Sequence, residues 1–201
     1  FNQMGLKVGT DLFDKDTIKT GKDGFIIYIY LDDKSLIKVH NDTEIVINRN
    51  KSNEILANSV ELNYGKIKVF IDPNKKKTFE IVTPISIASV KGTEFWVIRN
   101  KFTQIDQFIC QTGLLEVKNL FSGKSVLVDK MKTAISELSG VLIIKENEFV
   151  EIPEDEIINI DKVNEKRVLE IGKGDKTFLR ILKYCSIIGA GLIIYSIVSL
   201  G

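Results

Sequence analysis

Ten short apolar runs, each closed by a turn-forming cluster, follow one another between residues 25 and 128. They cover 25–31, 36–39, 43–47, 66–71, 78–83, 85–90, 94–99, 105–110, 114–117 and 125–128. They are rich in Ile, Val, Phe and Thr and too short for ordinary helices, while Gly, Asn, Asp and Pro punctuate them. Within 66–71, Ile67, Val69 and Ile71 share one face and Lys66 and Lys68 take the other, which is the two-residue period of a half-buried strand. The run 25–31 is apolar on both faces, so it predicts a strand covered on both sides. The pattern predicts an all-β domain over 1–135: an antiparallel β-sandwich, a barrel or a short β-solenoid. Residues 48–58 hold few apolar side chains and read as a long hairpin loop.

Composition removes several classes of function. With Lys+Arg 28 against Asp+Glu 27, the net charge of +1 gives no electrostatic footprint for nucleic acid. Two cysteines and one histidine cannot build a Cys/His zinc scaffold or a disulfide-dense fold. Cys110 and Cys185 both lie in apolar stretches and read as isolated buried thiols. His40, beside Asn41 and Asp42, reads as a surface turn residue. There is no phosphate loop, no dinucleotide fingerprint, no metal cluster and no nucleophile paired with a base. The expectation is a non-enzymatic chain with no catalytic residue, no metal site and no cofactor.

The ends differ from the middle. Residues 136–177 are expected to form an acidic extension or stalk, in which 139–144 reads as one more candidate strand; between 145 and 156 six acids face one lysine, and Pro153 with Glu154, Asp155 and Glu156 reads as a helix start. Residues 178–201 predict a membrane helix, because 184–201 is 18 residues without a charge and the whole stretch reaches 24. Lys173, Lys176, Arg180 and Lys183 lead into it; by the positive-inside rule they would hold the upstream domain on the cytoplasmic side. The chain starts at Phe1 and no signal peptide is visible, so a removed leader or a fragment is expected.

The most informative residues lie between 79 and 97. Thr83 and Pro84 are followed by the small residues Ser86, Ala88 and Ser89, then Lys91, Gly92, Thr93, Glu94 and Phe95. This stretch resembles the signature of the FecR domain family. Gly9, Leu12, Asp16, Ile18, Thr20 and Gly21 resemble the family's opening pattern. Leu62, Gly65, Ile67 and Val69 resemble a later segment, and Gly113 to Val117 the strand after the signature. Lys91 stands where the family more usually has Arg, and the family's first strand would lie before Phe1.

The resemblance implies an extracytoplasmic, periplasmic sensor or signal-transduction module, membrane-anchored, that works through a protein partner. A structural or glycan-binding envelope module is the alternative. The signature reads as structural. Pro84 suits a strand start, Gly92 a turn or bulge, and Lys91 and Glu94 are expected to pair across that turn. Phe95 and Trp96 should point to opposite faces, so an outward Trp96 either offers a partner contact or packs under the acidic extension or a loop.

Overall fold

The structure is a computed structural model that describes residues 10–30, 34–49, 58–73, 78–147 and 195–198. Among the described residues every regular element is a strand. One sheet runs in the order β1 (Thr10–Leu12), β15 (Tyr195–Val198), β3 (Ile26–Tyr30), β4 (Leu36–Val39), the second half of β6 (Asn58–Phe70), β9 (Glu94–Arg99), β10 (Asp106–Thr112), β13 (Lys132–Ser136) and β14 (Leu142–Glu146). The other runs β2 (Thr17–Lys19), β5 (Glu44–Arg49), the first half of β6, β7 (Phe79–Val82), β8 (Ser86–Val90), β11 (Leu114–Asn119) and β12 (Ser125–Asp129).

β6 joins the two sheets. Its first half pairs with β5 and β7, and its second half with β4 and β9. Asn63 forms a bulge there: Glu44 faces Tyr64 while Ile45 faces Leu62. Gly65 follows at φ +102°, and a Cβ on it would lie 2.2 Å from Thr43 Oγ1. That close approach is useful, because the Thr43 hydroxyl accepts the Lys66 N–H at 2.9 Å and so satisfies the backbone at the bend.

The expected all-β class is therefore met, as a nearly closed, barrel-like body. Strict antiparallel pairing is not: β6–β7, β1–β15 and β15–β3 are parallel. The core lies between the two sheets, with Val60, Leu62, Ile67 and Val69 of β6 meeting Ile81, Val90, Phe95, Val97, Phe108, Leu115 and Val117. Each large apolar side chain buried there contributes roughly 1.5–3 kcal/mol relative to exposure.

All ten runs read from the sequence contain strands. The pattern misses β1 and β2, which are three residues each, the first half of β6, where only Val60 and Leu62 are apolar and core-facing, and β13, where only Ala134 and Ile135 are apolar. Past residue 135 the ladder continues: β14 pairs with β13, and Asn147 donates to the Cys110 carbonyl at 3.2 Å and accepts from Thr133 at 2.7 Å. Of the stretch 178–201 expected to be a membrane helix, only Tyr195–Val198 is described. These four residues form a strand, as β-branched and aromatic side chains favour. No helix among the described residues is long and apolar enough to cross a membrane. Cys185, the helix start at Pro153 and most of the acidic extension lie outside the described residues, as do 50–57 of the expected hairpin loop.

Candidate functional site

The signature residues fall into two structural groups, one at each end of β8. The first is the turn between β7 and β8. Thr83 is buried there and Pro84 is exposed at the second position of the turn, where its fixed φ suits the bend. The Thr83 hydroxyl accepts the Ser86 N–H at 2.8 Å and donates to the Asp106 carboxylate. Asp106 is fully buried on β10 and pairs with Arg99 of β9, whose Nε also donates to the Asn63 carbonyl at 3.1 Å. Burial pushes the Asp106 carboxyl above the usual aspartate range, and bonds from Thr83, Arg99 and Ser86 hold back part of that rise. The Ser86 hydroxyl meets that of Ser136 at 2.8 Å, and Asn119 donates to Ser136 at 2.8 Å. A continuous polar chain thus crosses the body from Arg99 to Asn119. Every member has a partner, as a buried polar group requires.

The second group is the turn between β8 and β9. Gly92 sits at φ +68°, and a Cβ on it would lie 2.5 Å from Pro73 Cα. The loop after β6 therefore touches this turn directly. The buried Thr93 donates to the Leu114 carbonyl at 3.1 Å, while its own carbonyl accepts the Ile71 N–H at 3.0 Å. Three turns, at Pro73, Gly92 and Gly113, are stacked at this corner.

Glu94 is expected to pair with Lys91, and here the structure differs. Lys91 is exposed just past the end of β8, and the Glu94 carboxylate meets Lys68 Nζ at 2.9 Å; Lys68, expected on the solvated face of its strand, is itself buried. Sheet register explains this: Phe70 faces Glu94 and Lys68 faces Trp96, so Lys68 is the diagonal neighbour of Glu94 on the same face. The turn at Gly92 carries Lys91 out of that ladder.

Phe95 joins the core and Trp96 takes the opposite face, as alternation requires. Trp96 is nevertheless 0% exposed, so it offers no outward contact surface in this chain. Its indole N–H has no partner among the described residues. His40 is also buried, which corrects its reading as a surface turn residue. Its ring lies 4.7 Å from that of Trp96 and 5.0 Å from that of Phe25. The sequence placed His40 in a polar turn; the sheet instead turns its side chain onto an aromatic face. Cys110 is a buried free thiol, and burial, reinforced by Asp129, pushes it up to about 11.

Among the described residues, no three His, Cys, Asp or Glu side chains are grouped to hold a metal ion. Arg99, Asp106 and Thr83 are locked into structural bonds, so the arrangement can hold shape and present surface.

Residues 16–109 match the family described as FecR protein. No curated protein matches the chain. Two similar solved structures are crystal structures of "a putative anti-sigma factor from Parabacteroides distasonis ATCC 8503", at 2.50 and 1.65 Å resolution. Identity is 17% and 16%, with TM-scores of 0.55 and 0.54. Each superposition covers 65% of this chain and 59% of the other, so the chain spans about three-fifths of the length of the structures it resembles. At that identity the likeness shows the fold alone.

Proposed function

We propose, from the FecR domain that residues 16–109 carry, that this protein is a non-catalytic, extracytoplasmic signalling module that works by binding another protein. The family match is the observation that carries the reading. The shared fold with a protein described as an anti-sigma factor supports it. On this reading Thr83, Pro84, Gly92, Thr93 and Phe95 hold the form of a rigid body, Glu94 steadies its outer face through Lys68, and Lys91 is solvated just past the end of β8. The signal passes as a change in what the body touches, and the output is the activity of a sigma factor on the cytoplasmic side.

The test is a fusion, in the natural gene, of alkaline phosphatase after Asn147. Active phosphatase in intact bacteria is the expected result. An inactive phosphatase, with an active β-galactosidase fused at the same point, would place the domain in the cytoplasm and overturn the reading. Membrane attachment through 178–201 belongs to the same proposal and competes with the strand formed by Tyr195–Val198. Retention in the membrane pellet after carbonate extraction supports the anchor; release into the supernatant supports the strand.

A further inference from the structure

We propose that β12 is a docking edge that accepts an extended segment of a partner protein, apolar at alternate positions and acidic at its two ends. This rests on the partner-binding reading above and names the surface and the chemistry of its occupant.

β12 ends its sheet and, among the described strands, is hydrogen-bonded only to β11. The direction of its backbone groups follows from the hairpin. The Asn119 N–H donates to the Lys124 carbonyl at 2.9 Å, toward β12, while the Leu120 N–H donates the other way, to Ile85 at 2.8 Å. Bonded and non-bonded pairs alternate along an antiparallel ladder, so Val126 and Val128 exchange bonds with Val117 and Leu115. The N–H and C=O groups of Ser125, Leu127 and Asp129 then face outward, as a template for another strand.

β12 lies close to β13 and β14 of the other sheet. Ile144 of β14 lies opposite Ala134, which is in the core, so Ile144 takes the core-facing side. Even so it is 40% exposed, and Val126 is only partly buried against the core. A strand laid along β12 would cover both. Leu127, on the outer face, is 61% exposed and supplies a side chain for the added strand to pack beside.

Charge selects the occupant. Lys124 and Lys130 bracket β12, and neither has an ion-pair partner among the described residues. Asp129 is already held by Lys132 at 3.1 Å. A second copy docking antiparallel about Leu127 would set Lys124 against Lys130 at both ends. Like charges placed opposite each other are destabilising. A segment with acidic ends meets opposite charge at the same two points. The edge thus disfavours its own copy and favours an acidic-ended strand.

The probe is a fluorescein-labelled acetyl-Asp-Thr-Val-Thr-Val-Thr-Asp-amide peptide, whose ends meet Lys124 and Lys130 when its valines lie opposite Val126 and Val128, titrated against the whole chain by fluorescence anisotropy. Saturable binding is expected, about fivefold tighter than for the same peptide with lysine ends. Exchanging both charges, Lys124→Glu with Lys130→Glu, reverses that order. Leu127→Pro removes an outward N–H and leaves the β11 ladder intact, so binding is lost while the melting temperature holds. No saturable binding, or equal binding of the two peptides, overturns the proposal. So does binding that survives in a folded Leu127→Pro protein. If Leu127→Pro does not fold, the charge reversal decides alone. Failure here removes the β12 edge; the signalling reading is tested separately by export of the phosphatase fusion.

Discussion

Thr83 does two things with one oxygen: it closes its own turn by accepting from Ser86 and it donates to a carboxylate on another strand. That explains Thr before Pro at this position, since valine would keep the shape and lose both bonds. The partner matters more. Asp106→Asn leaves the Arg99 guanidinium buried against a neutral group. We expect a loss of about 3–5 kcal/mol in urea unfolding, the range for breaking a buried ion pair. Thr83→Ser should stay close to the parent and Thr83→Val should not. The buried Cys110 thiol, pushed up to about 11, should not react with a thiol reagent at pH 8 until denaturant is added. Residues of this kind were half legible. Thr83 and Gly92 announce themselves because Pro84 and a turn stand beside them. The Asp106–Arg99 pair did not, since nothing local to either residue says that two strands will bring them together. His40 was misjudged for a related reason, and the same gap left Trp96 open: strand alternation says which face a side chain takes and is silent on whether that face is covered.

At the level of elements, the turns decide which strands meet. Gly92→Ala would force a side chain into φ +68° and toward Pro73, and should lower stability by about 1–3 kcal/mol. The change should also raise amide exchange in β8 and β9 more than in β4. β6 is the harder element to foresee. Its second half alternates cleanly, but its first half looks like a polar loop, because one of its faces is only half covered and carries Ser59, Glu61 and Asn63. The bend is steadied by Glu44. Burial alone would raise the Glu44 carboxyl, yet bonds from Asn63, Lys19 and Tyr64 outweigh it and hold the group below the usual glutamate range. A carboxylate held low in the folded state contributes stability that is full above its unfolded value near 4.5 and is lost as pH falls through the folded one. Glu44→Gln should therefore cost stability at pH 7, and the gap between variant and parent should shrink on going to pH 3.

For the molecule as a whole, the class of fold was legible because ten runs share one spacing, and every one of them contains a strand. The way the sheets join was not legible. It depends on one bulge at Asn63, one glycine at 65 and the parallel pairing of β6 with β7, none of which leaves a periodic trace. A body built this way spends its polar residues on holding turns together, which fits recognition better than turnover. The most direct test is the transcript profile of the native bacterium with the gene intact and with the codons for residues 10–147 removed in frame. Our account predicts a several-fold change confined to promoters that share one sigma-factor recognition element. A profile that does not change, or that changes without such a shared element, would contradict it.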